Sequence, residues 1–326
     1  MTLGESIVNK LRYFKRKLIT SLPFKYIIRK SKKIFLPGFQ GIPLFDVVRF
    51  FFLQARKTGF TERSSAIAFN LVMAIPPSVI FLFTLVPYLP ISKEFIKQVF
   101  DLIRDVIPGE KNNEGLIKFL SDILSNQRTA LLSTGFILAM FFSSNAVMGI
   151  MRSFDKNYIG FRKRKGLHQR WVAIKLTFIL FVNFFISILA MIMQGAVLRW
   201  LGVKNEFLIN LIHNLRWVVI LSLFFLTISF IYRYAPAVHK RWKLINPGSI
   251  LATFLMIVFT AGFSYYVSNF SNYNELYGSI STVLILMLLI YFNSLVLLIG
   301  FELNVSISSL KHTVDERMRH QASTTS

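Results

Sequence analysis

The stretch LYGSISTVLILMLLIYFNSLVLLIGFELNVS, residues 276–306, decides the class of fold. From 280 to 301 it runs 22 residues without a charge. As a helix it would reach about 33 Å, enough to cross a hydrocarbon core about 30 Å thick. It is apolar on every side, and a helix closes its backbone hydrogen bonds internally, so lipid is its natural solvent. A helix buried in a large soluble protein is the competing reading. It weakens as further segments of the same kind appear.

Five more do, at residues 66–89, 130–151, 176–198, 217–232 and 250–267. The fourth is short, but Arg216 and Arg233 at its ends can extend to the headgroups. The first contains Pro76, Pro77 and Pro87. Proline lacks a backbone donor and clashes one turn back, so a kink or break is predicted near mid-depth.

Composition agrees. With 54% hydrophobic residues and 34 Phe in 326 positions, the chain is too apolar for a soluble domain of its size. It has no cysteine, which excludes disulfides, thiolate metal sites and thiol catalysis. Its 38 Lys+Arg against 15 Asp+Glu give a net charge of +23, which suits either nucleic acid or an anionic membrane surface.

Position separates those two. Residues 1–63, 152–171, 233–247 and 303–326 hold 28 basic side chains; the alternate segments 90–129, 199–216 and 268–279 hold nine, and Lys175 is the other. Such asymmetry places both termini in the cytoplasm. The first span begins too far along the chain to be a cleaved signal and is expected to stay as an anchor. The basic excess thus follows a membrane face, and nucleic acid drops out as a partner. RKRKGLHQR at 162–170 suits anionic headgroups better.

The predicted organisation is all-α and polytopic, with six transmembrane helices. Residues 1–63 form a cytoplasmic basic region. Within it, PLFDVVRFFFLQARKTGF (43–60) carries Phe45, Val48, Phe52 and Ala55 at helical spacing, as an interfacial amphipathic helix would. Residues 64–308 form the membrane domain and 309–326 a cytoplasmic tail. The outer loop 90–129 carries two amphipathic patterns, Phe95, Val99, Ile103, Val106 and then Leu116, Leu120, Ile123, Leu124, which predict a short helical cap.

Polar groups inside a bilayer are costly, so they are the candidates for function. The second span has Thr134, Asn145, Gly149 and Arg152 on one face; the third has Asn183, Ser187 and Gln194; the sixth has Asn293, Gly300 and Asn304. These stripes either line a hydrated cavity or bond helix to helix, with glycines allowing close approach. Glu302, the one carboxylate at the edge of a span, faces away from Asn293 and is expected to pair with Arg152 or Arg63. The five histidines are scattered, and there is no Gly-rich phosphate loop, Ser/His/Asp elbow or carboxylate pair. No catalytic residue, metal or cofactor is predicted.

Several stretches carry a resemblance: ERSSAIAFNLVMAIPP (62–77), SSNAVMGIMRSFDKNY (143–158), YRYAPAV (232–238), NPGSILATF (246–254), YNELYGSISTVLIL and LLIGFELN. Over residues 45–308 they resemble the YihY/BrkB family of bacterial inner-membrane proteins. The resemblance implies a six-helix bundle, a transporter assignment and a link to the cell envelope. A ribonuclease label has also been attached to the family, but these residues offer no nuclease chemistry. Arg63, Asn145, Arg152, Pro236, Gly248, Tyr277, Gly278 and Glu302 fall on its motif positions. Phe141-Phe142 and Leu289-Ile290 stand where the family often has tryptophan.

The favoured function is transport or leaflet transfer of an envelope-related amphiphile such as a lipid. The alternative is a non-transporting scaffold for envelope assembly, with an RNA-processing enzyme third. The expected partners are membrane lipids, through anionic headgroups at the cytoplasmic face; a second copy of the chain is left open.

Overall fold

A computed structural model describes residues 26, 29–55, 59–88, 127–155, 166–200, 206–238, 241–270 and 280–324, with the side chains of 189–217 outside that set. Among the described residues the secondary structure is helical. The elements are α1 (Leu44–Ala55), α2 (Phe60–Leu85, followed by a 3-10 turn at Val86–Tyr88), α3 (Thr129–Phe154), α4 (Gly166–Trp200), α5 (Glu206–Tyr234), α6 (Pro247–Phe270) and α7 (Ile280–Thr324). Five stretches are long and apolar enough to cross a membrane: Phe60–Tyr88, Thr129–Phe154, Gly166–Ile188, Pro247–Val267 and Val283–Gln321. The apolar part of α5, Val218–Tyr234, is shorter. Large side chains such as Phe69, Ile137 and Phe254 stand more than 60% exposed, the surface a bilayer covers. The expected cap over 90–129 falls almost wholly outside the described residues.

The chain forms two compact units, one of residues 59–301 and one of 1–58 with 302–326. In the larger unit α2 packs on α3, α3 on α4, α4 on α5 and α5 on α6. The last span joins through the buried Tyr232, whose hydroxyl donates to the Leu297 carbonyl at 2.7 Å. The approach there is close because residue 300 is glycine: a Cβ would lie 2.6 Å from the Gly248 carbonyl and 2.8 Å from the Ala252 Cβ. One turn of aromatic packing closes this end, with the Phe154 and Phe301 rings stacked at 3.9 Å beside Tyr232 and Trp242. Phe81 plays the same part between α2, α3 and α4, meeting Phe136, Phe181 and Phe185.

Pro76 and Pro77 do not break the first span. Helix α2 runs through both, correcting the expected interruption. The ring removes donors only for the carbonyls one turn back, and Ser78 adds a hydroxyl bond to Ala74 in the same turn at 2.7 Å. Helix α6 starts sharply, because Asn246 and Ser249 cap each other. The Ser249 amide donates to the Asn246 side-chain carbonyl at 2.8 Å, and the Asn246 amide donates to the Ser249 hydroxyl at 3.2 Å.

In the smaller unit, Val47 of α1 is fully buried with Phe39, Ile42 and Ile307, against Leu44, Leu303 and Leu310. Val48 and Phe52, from the predicted interfacial stripe, remain exposed. So α1 packs by a face next to that stripe, with Phe45 and Ala55 at its ends partly buried.

Candidate functional site

The predicted polar residues do not gather at one point. Arg63 lies in the first turn of α2, after Gly59 in the left-handed region at φ 58°. Its guanidinium is buried, and Nε donates to the Ser153 carbonyl at 2.8 Å. Ser153 sits in the last turn of α3, where carbonyls lack intrahelical donors and attract cations. Arg63 therefore caps α3 from the neighbouring helix. Arg152, one residue away, is exposed. Side chains on successive helical positions point about 100° apart, so with Met151 and Ser153 buried the arginine projects outward. The buried guanidinium of this region is that of Arg63, not of Arg152.

Asn145 accepts a hydrogen bond from Nη1 of Arg170, at the start of α4. The same guanidinium lies 4.9 Å from the centre of the Phe141 ring and contacts the Met148 sulfur at 3.3 Å. A basic-loop residue thus reaches into α3. Its signal in the sequence was the run Phe141, Asn145, Met148, an aromatic, an amide and a thioether on one helical face. Asn183, also buried, donates to the Thr227 hydroxyl at 2.7 Å and the Leu223 carbonyl at 3.0 Å, tying α4 to α5. Asn293 donates to the Thr260 hydroxyl at 3.3 Å, linking α7 to α6, and to its own Leu289 carbonyl at 2.9 Å. The three amides serve three different helix pairs. The Gln194 side chain lies outside the described residues.

Glu302 is fully buried in α7, and its carbonyl accepts from the Ser306 hydroxyl at 2.8 Å. It belongs to the smaller unit, as does a cavity of about 830 Å³ between α1 and the end of α7. Phe35, Leu53, Leu310, Val314 and Met318 form apolar walls; Arg49, Lys311 and Arg317 supply cations, and Asp46 and Asp315 anions. Residues 309–326 are expected from the sequence as a cytoplasmic tail, and α7 continues through them to Thr324. The pattern Leu303, Ile307, Leu310, Val314, at alternating +4 and +3, was the signal that it continues as a packed helix.

Helices of this length and surface, bonded through a few amides and hydroxyls, define a polytopic all-α membrane protein. The sequence model of the Virulence factor BrkB family matches residues 51–325, and the chain belongs to that family. It is 28% identical over 264 residues to the ribonuclease-like protein YfkH of Bacillus subtilis (strain 168), covering 79% of this chain and 94% of that one. A UPF0761 membrane protein of Xanthomonas campestris pv. campestris (strain B100) is 36% identical over 88 residues, 27% of this chain and 21% of its own. A UPF0761 membrane protein of Tolumonas auensis is 34% identical over 80 residues, 24% of this chain and 26% of that one. No solved structure matches.

Proposed function

We propose that the protein handles an anionic amphiphile of the cell envelope, a lipid that it transports or transfers between leaflets of the bacterial inner membrane, with both termini cytoplasmic. The observation that carries this reading is the cavity between α1 and the end of α7. Its volume of about 830 Å³ falls in the range of small-molecule sites. Apolar walls suit an acyl chain, and Arg49, Lys311 and Arg317 suit a phosphate ester beside it. Leu53, Val314 and Met318 are about half exposed, so an apolar occupant would remove them from water. Nothing in the reading needs a catalytic step. The ribonuclease-like name belongs to the relative, and among the described residues no three metal-binding side chains come together.

The scaffold alternative has its own observation. Asn145, Asn183 and Asn293 are each taken up by a different helix partner, which is what packed helices need and a shared hydrated path does not. Fluorescent phosphatidylglycerol separates the readings. The purified protein should bind it, and Val314→Glu with Met318→Glu should weaken binding about tenfold, since placing charge in an apolar site costs at least 1.4 kcal/mol. Unchanged binding in that variant contradicts the cavity assignment. In proteoliposomes, faster exchange of the labelled lipid between leaflets than in empty vesicles supports transfer; equal rates leave a lipid-binding scaffold.

A further inference from the structure

At the end of α5, where the apolar run stops, two arginines share one aromatic ring. The guanidinium of Arg233 lies 5.8 Å from the centre of the Tyr234 ring, and that of Arg241, from the segment leading to α6, lies 5.4 Å from it. The ring is itself held against Phe230 at 6.2 Å. Cation–π attraction places each arginine there and brings two like charges to one ring. Among the described residues neither guanidinium meets a carboxylate. Nε of Arg233 is moreover cut off from solvent without a hydrogen-bond partner, so this cation has already lost part of its hydration.

Simpler roles account for part of this arrangement. A cation in the last turn of a helix is favoured by the helix dipole, which explains Arg233 alone. The dipole does not explain Arg241, which comes from outside the helix and is exposed except for its ring contact. The N-terminus of α6 does not supply the missing anion site, because the Asn246 and Ser249 side chains already occupy its donors.

We propose that Arg233 and Arg241, set on Tyr234, form a binding site for the phosphate of an anionic membrane lipid at the bilayer surface. Each planar guanidinium offers paired donors that match two phosphate oxygens, and a phosphate ester supplies the negative charge that neither arginine finds in a carboxylate. The end of an apolar helix is where lipid headgroups lie, so the lipid phosphate is the source favoured over free phosphate. The site lies in the 59–301 unit and does not depend on the cavity beside α1.

The test uses the full chain, delipidated in mild detergent, with phosphatidylglycerol, phosphatidylcholine and inorganic phosphate as separate probes read by native mass spectrometry. Wild type should retain phosphatidylglycerol over phosphatidylcholine. Made in the Val314→Glu/Met318→Glu background, so that the cavity beside α1 does not contribute, Arg233→Gln with Arg241→Gln should lower that retention about tenfold or more, the loss expected when two basic side chains leave an anionic surface. Arg29→Gln with Arg319→Gln, exposed residues whose loss removes the same charge, should leave it unchanged. Tyr234→Phe keeps the ring and should retain the lipid, whereas Tyr234→Leu should lose it, with thermal unfolding measured beside each to exclude misfolding. Equal retention in the folded double variant, or an equal drop in the Arg29/Arg319 control, overturns the site. Displacement of phosphatidylglycerol by millimolar inorganic phosphate would overturn the lipid assignment.

Discussion

Asn183 shows how a single polar side chain behaves in this protein. Buried on α4, it donates to both the Thr227 hydroxyl and the Leu223 carbonyl, and Thr227 in turn donates to Leu223 at 3.0 Å. Leucine at this position would remove both bonds between α4 and α5, leaving the Leu223 carbonyl to the Thr227 hydroxyl and Thr227 without the Asn183 donor. Interhelical bonds of this kind are worth about 0.6–2 kcal/mol in membranes. Asn183→Leu is therefore expected to lower the unfolding free energy in detergent by an amount in that range, and Asn293→Leu by less, since its cross-helix bond is longer at 3.3 Å. A larger loss for Asn293 would reverse this ranking. The sequence made these amides visible, because a polar residue in an apolar run stands out. It did not reveal their partners. Thr227 and Thr260 sit in runs with no other mark, and Arg170 reads as one more charge of a basic loop until α3 and α4 are packed together.

Between helices, spacing is set by small residues, and three glycines make a graded series. At Gly300 an added Cβ would meet the Tyr232 hydroxyl, the Gly248 carbonyl and the Ala252 methyl, two of them from the tightly packed α6. At Gly149 it would press on the Asn70 side chain at 2.9–3.1 Å, where the amide can turn aside but the Cβ cannot. At Gly262 nothing lies within 4 Å. Gly300→Ala should cost about 1–3 kcal/mol as overpacking. Gly149→Ala should cost less, and Gly262→Ala should be neutral or gain up to about 1 kcal/mol from helix propensity. Thermal unfolding of the three variants checks the order, and a tolerated Gly300→Ala would contradict the close approach of α6 and α7. Element boundaries were the least legible part of the sequence. Prolines 76 and 77 predict a kink or break, yet α2 continues through both, because the rings remove donors only for the Val72 and Met73 carbonyls. Helix α7, 45 residues long, outruns its apolar core because Ile307 and Leu310 pack on the region of α1.

For the molecule as a whole, the number and order of the apolar helices were legible, since spans of this length have no other stable solvent. The division into units of 59–301 and 1–58 with 302–326 was not, because it depends on distant contacts such as Val47 with Ile307 that no local pattern encodes. The crossing that matters most is that of α5, whose described apolar part, Val218–Tyr234, is the shortest of the six. As a helix from Glu206 to Tyr234 it spans 29 residues, about 43 Å, enough to cross if its polar ends reach the headgroups. The absence of cysteine makes the crossing count directly measurable by single-cysteine labelling in intact cells. With six crossings and both termini inside, Asn112→Cys and Asn272→Cys react with a membrane-impermeant reagent, while Gly166→Cys and Ser323→Cys react only after lysis. If α5 did not cross, every later segment would change sides, so protection at 272 with labelling at 323 would contradict the six-helix account.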